Sequence, residues 1–308
     1  MRIVFMGTPD YSVATLSALY DAGYEIKGVF AQPDKPVGRK QILTPPPAKV
    51  FAVEHGIPVF QPKTLRDGEA MEIIRELDPE MIVVVAYGKI LPAEILDYPK
   101  FGCVNGHASL LPKLRGSSPI QWAIVSGLKK TGVTTMLMDE GMDTGDILET
   151  FETDIGEDET AEELFSRLSN ATARLMLSTV SKLKDGKITP TKQNESDATY
   201  APIIKKEMAH LDFSFDALTL SNAVRGYYSW PCAYTFIGGK RIKIISAKSS
   251  GKTEKPAGEV IESRERLVIA CGNGTSLELV TVQPEGKKAM SAADMLKGNP
   301  IPVGTVAE

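Results

Sequence analysis

Residues 81–88 read Met-Ile-Val-Val-Val-Ala-Tyr-Gly, the most strand-like stretch of the chain. Its first six residues are apolar on both faces, as in a central strand of a parallel sheet. Shorter strand-like runs precede it at residues 2–6 and 25–31 and follow it at 101–105 and 133–138, with helix-like segments between them. This alternation predicts an α/β fold with a Rossmann-like parallel sheet and helices on both faces.

Helix signals and one long loop lie between these strands. Thr8 can cap a helix that has Pro9 at its first position and stops at Gly23, and a long amphipathic helix is predicted over residues 160–184. The loop at residues 32–47 is rich in Pro and Lys. It is unusually long for a connection between a strand and a helix, which favours a functional role.

The pattern changes after about residue 206. Short β-rich segments separated by Gly-rich turns then follow, at residues 233–237, 241–247, 258–261, 266–270 and 276–282. They predict a smaller C-terminal β-barrel that is OB-like, and the polar stretch before it is typical of a linker. We therefore expect an α/β domain at residues 1–188, a linker at 189–206 and the barrel domain at 207–308.

The charge of the chain is unevenly distributed. The net charge of −4 argues mildly against a polyanionic partner such as nucleic acid. However, the segment from Asp139 to Phe165 contains twelve acidic and no basic residues, and removing those twelve charges from −4 leaves +8 for the rest. A polyanionic partner is therefore not excluded, and the acidic segment is expected to cover a solvated surface.

The Cys and His residues argue against disulfides and metal sites. The three cysteines lie far apart without a Cys-x-x-Cys motif, and the three histidines are scattered. Such usage is typical of a reducing cytosol and unlike a zinc site. The first residues contain too short an apolar run for a signal peptide, and the apolar run at residues 81–86 is far too short to cross a membrane. We expect a cytoplasmic protein without a metal.

Two short motifs contain residues suited to acyl chemistry. Asn105 and His107 lie two residues apart at the end of a predicted strand, so both side chains lie on one side of the backbone. An amide and an imidazole there can flank a carbonyl group, one stabilising an oxyanion and the other handling a proton. Asp143 lies between Gly141 and Gly145, in a loop that can hold its carboxylate in place. Taken alone, a polar strand end and an acidic turn remain the alternatives.

The motifs together resemble the folate-dependent formyltransferase superfamily. Its signature is Asn-x-His followed by Ser-Leu-Leu-Pro, here at residues 105–112, and later Asp-Thr-Gly-Asp at 143–146. The branch that formylates methionyl-tRNA is similar along nearly the whole chain. The similar stretches are residues 5–9, 32–39, 85–92, 115–116, 230–231 and 283–290.

The resemblance implies a reaction and its catalytic residues. The formyl group of 10-formyltetrahydrofolate is expected to pass to the α-amino group of methionyl initiator tRNA, in support of translation initiation, by direct attack through a tetrahedral intermediate. Asn105 and His107 would donate hydrogen bonds to the oxyanion. Asp143 would orient or charge His107 and help to move the amine proton through water. No covalent intermediate and no metal are required.

The resemblance also implies two sets of binding residues. The folate would be bound by Tyr87, Gly88, Ile90, Leu91, Ser109, Leu110, Leu111, Pro112 and Asp139. The tRNA would be bound by Lys35, Arg39, Lys40, Lys49, Lys240, Arg241 and Lys243. For the first four of these cations, which lie in the loop and its following helix, a bland basic loop is the alternative. The chain is expected to act as a monomer.

Several rival functions share the same catalytic residues. They are glycinamide ribonucleotide formyltransferase, which usually has a single domain, a sugar-nucleotide N-formyltransferase, a formyltetrahydrofolate hydrolase and a catalytically silent folate- or RNA-binding module. The last depends on Gly106, which stands where the superfamily usually has an apolar residue. Glycine frees the backbone and removes a packing anchor, so we expect a looser arrangement of Asn105 and His107.

Overall fold

The computed structural model describes residues 1–38 and 40–308, which form two compact units. Unit 1 comprises Met1–Pro119, Thr131–Thr153 and Phe165–Ala201. Unit 2 comprises Ile120–Lys130, Asp154–Leu164 and Pro202–Glu308. The last boundary falls inside the stretch expected to be a linker, and its residues before 202 belong to unit 1.

The elements up to residue 184 alternate in type. The strands are β1 (Arg2–Gly7), β2 (Glu25–Phe30), β3 (Lys35–Val37), β4 (Ile42–Thr44), β5 (Val59–Phe60), β6 (Met81–Val85), β7 (Cys103–His107), β8 (Lys130–Leu137) and β9 (Ile147–Asp154). The helices are α1 (Asp10–Asp21), α2 (Pro47–Glu54), α3 (Glu69–Leu77), α4 (Ala93–Leu96), α5 (Pro119–Val125) and α6 (Ala161–Lys184).

Seven of these strands form one sheet in the order β5-β2-β1-β6-β7-β8-β9. The first five are parallel, which confirms the predicted Rossmann-like α/β fold. β8 is antiparallel to β7, so the sheet is mixed rather than wholly parallel. An apolar run indicates a buried strand but not its direction, and this is why the sequence could not predict the reversal.

Helices cover both faces of this sheet. Val4, Met6, Ile82 and Val84 are fully or almost fully buried in one apolar cluster together with residues of α3 and α4. Because side chains alternate along a strand, their neighbours face the other way. On that opposite face Gly106 of β7 lies against α6.

One local prediction for unit 1 is wrong, and three of its strands were not predicted. Thr8 does not cap α1: Pro9 precedes the helix without a side-chain cap, and the Thr8 hydroxyl donates to the Tyr87 carbonyl at 3.1 Å. The loop at residues 32–47 contains the antiparallel hairpin β3–β4. The acidic segment contains β9, which the charged residues concealed, because an edge strand can carry acidic side chains towards solvent.

Unit 2 contains an antiparallel sheet. Its elements are α7 (Ala217–Gly226), β10 (Tyr234–Ile237), β11 (Lys240–Lys252), β12 (Val260–Ser263), β13 (Leu267–Cys271), β14 (Thr275–Pro284), β15 (Met290–Ser291) and α8 (Ala292–Gly298). The strand order is β10-β11-β14-β13-β12, with β15 paired to β14, which gives a curled half-barrel. All five predicted strands are present, whereas α7 and α8, which contribute to the apolar core, were not predicted.

In the described part of the chain, no helix is long and apolar enough to span a bilayer.

Candidate functional site

The sheet brings the three predicted catalytic residues together. Asn105 pairs with Val84 of the parallel neighbour β6, and both Asn105 and His107 lie on the side of β7 opposite to Gly106. Asp143 lies in the loop between β8 and β9. The Asn105 amide nitrogen donates to Asp143 Oδ1 at 3.4 Å, and Asp143 Oδ2 lies 3.6 Å from His107 Nδ1.

The surroundings of His107 distinguish its two ring nitrogens. The residue is buried, with 7% of its side chain exposed. Its Nε2 lies 3.0 Å from the carbonyl oxygen of Leu114, which can only accept a hydrogen bond, so Nε2 carries a proton. Nδ1 faces the Asp143 carboxylate, also an acceptor, beyond ordinary hydrogen-bond length. Nδ1 is therefore the ring nitrogen that remains available to a reacting group.

The Asp143 loop is held by close backbone contacts. The amide of Gly116 donates to Asp143 Oδ2 at 2.8 Å, so the carboxylate has donors on both of its oxygens. Asp143 itself has a φ of 56°, in the left-handed region. Gly145 is required because a Cβ there would lie 1.7 Å from the Leu137 carbonyl oxygen. The glycine spacing that suggested a tight loop therefore has a steric cause.

Gly106 does not loosen the site, contrary to our expectation. A Cβ at this position would lie 2.7 Å from Thr172 Cγ2 and 3.4 Å from Met176 Cε, both on α6. Thr172 is fixed because its hydroxyl contacts the Tyr11 hydroxyl at 2.7 Å and donates to the Leu168 carbonyl at 2.9 Å. The space of the usual apolar side chain is thus occupied by α6, and the backbone between Asn105 and His107 is tightly packed.

The residues predicted to bind folate divide into exposed and buried groups. Ile90 is 63% exposed, whereas Leu91 is 2% exposed and belongs to the core. The buried Ser109 donates to the Lys113 carbonyl at 2.6 Å. Asp139 accepts from the Gly141 amide at 3.0 Å, so its carboxylate stabilises its own loop.

Tyr87 has a distinct environment. Its hydroxyl is buried and has no hydrogen-bond partner among the described residues, and burial raises the pKa of this phenol to about 12. Gly88, which follows it, has a positive φ of 82°. Of the remaining predicted wall residues, Leu111 is buried, while Leu110 and Pro112 are partly exposed. Whether these residues contact folate stays a prediction.

The predicted tRNA-binding cations of unit 1 differ in their exposure and in their hydrogen-bond partners. Lys35 lies on β3 and is exposed, as is Lys40, while Arg39 lies outside the described residues. Lys49 donates to Asp34 at 2.8 Å and to Gln61 at 2.8 Å. The hydrogen bond from Lys49, together with one from Gln61 Nε2 to the same carboxylate, holds the pKa of Asp34 below its usual range. The charge of Lys49 is therefore already paired with the carboxylate of Asp34, which lies just before the other cations of the loop in sequence.

The basic strand of unit 2 presents both free and packed cations. Lys240 is exposed and Lys243 is half-buried on β11. The Arg241 guanidinium lies 4.0 Å from the centroid of the Tyr234 ring, a cation–π arrangement. His210 stacks on the same Tyr234 ring at 5.0 Å. Arg241 thus packs against an aromatic side chain, which restricts its reach.

Sequence reasoning missed a polar cluster around the buried Arg115, next to the three predicted catalytic residues. Arg115, with a fully buried side chain, forms a bidentate ion pair with Glu195 at 2.8 Å and also donates to Gln193 at 2.8 Å. This hydrogen-bonded pair raises the pKa of Arg115 and lowers that of Glu195. Gln193 in turn donates to the carbonyl of Asp143 at 2.8 Å. The sequence signals for it were the similar stretch at residues 115–116 and the polar character of the stretch that we had interpreted as a linker.

Comparisons with known proteins cover both units. The family model described as "Formyl transferase" matches residues 1–180, and the one described as "Formyl transferase, C-terminal domain" matches residues 203–300. The methionyl-tRNA formyltransferase of Bacillus licheniformis is 48% identical over 305 residues, which cover 98% of this chain and 96% of the relative. That of Bacillus subtilis is 47% identical over 307 residues, with coverage of 99% and 97%.

One solved structure shows the same fold. It is an N-formyltransferase from Helicobacter canadensis in complex with folinic acid and dTDP-3-aminofucose. It aligns with a TM-score of 0.69 over 92% of this chain and 98% of that chain, at 18% sequence identity. At this level of identity the likeness concerns the fold alone.

Proposed function

This chain belongs to the formyl transferase family, and we propose that it transfers the formyl group of 10-formyltetrahydrofolate to the α-amino group of methionyl initiator tRNA. The observation that carries the proposal is the pair formed by the buried His107 and the half-buried Asp143, beside the Asn105 amide. The relatives that are nearly half identical along their whole length are methionyl-tRNA formyltransferases, which supports the choice of acceptor.

The reaction begins with a neutral amine. An α-amino group has a pKa of about 7.7–8.0, so its neutral form is well populated near neutral pH. Attack on the formyl carbon gives a tetrahedral intermediate with a negatively charged oxygen. The Asn105 amide retains one N–H beside the one given to Asp143, and this N–H and protonated Nδ1 of His107 would donate to that oxygen.

The proton of the amine requires an acceptor. Asp143 is held by the Gly116 amide and by Asn105 next to His107 Nδ1. We propose that Asp143 keeps the His107 ring charged and oriented and relays the amine proton through water. As the intermediate collapses, the bond between the formyl carbon and N10 of the folate breaks, this proton passes to N10, and tetrahydrofolate leaves. Nε2 of His107 stays bonded to the Leu114 carbonyl throughout.

The folate is assigned to residues at the carboxyl ends of β6 and β7, where ligands bind in such sheets. Exposed backbone around Ile90 would read the donor and acceptor groups of the pterin ring. The solved relative from Helicobacter canadensis contains folinic acid, which supports a folate donor. We propose the 10-formyl form because the amine requires a transferable formyl group.

The tRNA would be bound through phosphate contacts. In unit 1 the exposed Lys35 and Lys40 flank Arg39, and in unit 2 Lys240 and Lys243 lie on β11. Lys49, paired with Asp34, would instead stabilise the base of the β3–β4 segment. Substitution of Arg39 by Ala is expected to weaken activity on charged tRNA while folate binding stays nearly unchanged. An equal loss of folate binding would contradict the assignment.

One assay tests the reaction and its rivals. Purified protein is incubated with 10-formyltetrahydrofolate and either methionyl-tRNA, a dTDP-amino sugar or no acceptor. The proposal expects formyl-methionyl-tRNA, with a rate that falls as salt rises because phosphate contacts are screened. The Asn105→Ala variant serves as the matched control for background transfer. Formylation of the sugar alone, or release of formate without acceptor, would replace this function by one of the rivals.

A further inference from the structure

We propose that Gln193 is a positioning residue that fixes the distance between Asp143 and His107. The proposal rests on the proposed function for its kinetic consequences but not for its structural test. It is carried by a chain of hydrogen bonds that connects the Asp143 loop to the segment beside Leu114 and Gly116.

Gln193 contacts the Asp143 loop through its amide nitrogen. The two N–H groups of that nitrogen donate to the carbonyls of Asp143 and Gly145, both at 2.8 Å. They bracket the turn that carries the catalytic carboxylate. Both contacts are made to main-chain carbonyls, so they fix the backbone at Asp143. The Asp143 carboxylate can therefore move only slightly.

The other end of the Gln193 side chain is held as firmly. Its Oε1 accepts from Arg115 Nε at 3.1 Å and from Nη2 at 2.8 Å. The Arg115 side chain is fully buried and forms a bidentate pair with Glu195. The guanidinium of Arg115 has only donors, arranged in one plane. The Gln193 amide can therefore take only one orientation, with its oxygen towards Arg115 and its nitrogen towards the Asp143 loop.

The neighbours of Arg115 make the second half of the connection. The preceding residue, Leu114, presents its carbonyl to His107 Nε2, and the following residue, Gly116, presents its amide to Asp143 Oδ2. The Arg115 amide donates to the Thr199 carbonyl at 2.8 Å, which ties this stretch to the same polar segment that carries Gln193. One side chain therefore joins the two stretches that touch the His107–Asp143 pair.

A displacement of Asp143 is expected to matter because catalytic geometry is strict. A shift of about 1 Å in a reacting group can reduce a rate about 100-fold without any change in binding. Removal of the Gln193 side chain frees the Asp143 loop on one side while the carboxylate keeps its own contacts. We therefore expect a lower kcat with unchanged KM values, because neither substrate is assigned to Gln193.

The test uses the three histidines of the chain as probes. Ring resonances of His55, His107 and His210 are compared by NMR in the native chain and in Gln193→Ala, without substrate. We expect the His107 resonances to move and those of His55 and His210 to stay. In the assay kcat should fall about 10- to 100-fold, with both KM values within about twofold.

A matched control and a second variant complete the design. Asn194→Ala removes a neighbouring amide that bonds to Ser196 and Asp197, and it should leave His107 and kcat unchanged. Gln193→Glu keeps an oxygen for Arg115 but loses both donations to the Asp143 loop, so it guards against misfolding of the Ala variant. Unmoved His107 resonances in Gln193→Glu, or a raised KM with native kcat, would overturn the proposal. Moved resonances in a chain that formylates no tRNA would refute the proposed function and support the role of Gln193.

Discussion

Replacement of Gly106 by Ala tests whether α6 fixes the backbone of the site. The new Cβ would lie 2.7 Å from Thr172 Cγ2. Carbon atoms pack best at roughly 3.5–4.0 Å, so the overlap is about 1 Å. Such overpacking costs about 1–3 kcal/mol, and the reduced freedom of the unfolded chain offsets about 0.4–1 kcal/mol of it. We expect a net loss of about 1–2 kcal/mol in the free energy of unfolding.

A second substitution identifies the contact responsible. Thr172→Ser removes Cγ2 and keeps the hydroxyl that bonds to Tyr11 and Leu168, so by itself it should cost about 1 kcal/mol for the lost methyl group. In the Gly106→Ala background it should instead restore most of the lost stability. Thr179→Ser, also on α6 but bonded to Thr135, is the matched control and should restore none.

Chemical denaturation followed by circular dichroism measures these differences. Both tryptophans, Trp122 and Trp230, lie in unit 2, so their fluorescence reports on the unit that the substitutions leave intact. Costs of Gly106→Ala and Thr172→Ser that simply add in the double variant would refute the overlap. A loss of stability that is seen only in the unfolding transition followed by fluorescence would also refute the overlap.

Three further outcomes are expected. Asn105→Ala should lower kcat about 100- to 1,000-fold, roughly 3 kcal/mol, while the folate dissociation constant stays within about twofold; full activity would exclude the amide from the oxyanion site. Burial raises the pKa of Glu149, but hydrogen bonds from Lys182, Thr179 and Ser178 outweigh it and hold that pKa below its usual 4.5. Glu149→Gln should therefore destabilise the chain at neutral pH, with the difference from the native chain shrinking in denaturation curves as pH falls below 4.5; a constant difference would contradict this. Lys243→Ala should weaken tRNA binding and lessen its salt dependence, measured by filter binding at several salt concentrations, whereas an unchanged slope would remove this residue from the phosphate contacts.

The α/β core could be predicted because its strands are continuous apolar runs. Residues 81–85 and 2–7 are strands almost at their predicted limits, and α6 begins and ends where its amphipathic pattern does. The direction of β8 could not be predicted from the sequence, because its residues can pair equally well with a parallel or an antiparallel neighbouring strand. β9 was missed since its exposed edge carries the charges that otherwise mark a loop.

The three side chains of the candidate site could be predicted because they lie in the two short motifs that carry the resemblance. Asn105 and His107 share a strand, and the geometry places Asp143 beside them. The backbone groups of Leu114 and Gly116 carry no side-chain signal, although both touch the pair. Gln193 lies 50 residues from Asp143 in sequence, and a polar residue in a polar stretch gives no sign of such a distant partner.

That distance in sequence also sets the order in which the site is made. A chain emerging from the ribosome would present the Asn105 and His107 strand first, Asp143 next and Gln193 last. Contacts between such separate segments form late in folding, because the loops between them must close first. A nascent chain that stops at residue 188 would therefore carry all three side chains proposed to be catalytic and still lack the hydrogen bonds from Gln193 to the Asp143 loop. Full activity of this protein is expected only after synthesis has passed the polar segment that includes Gln193.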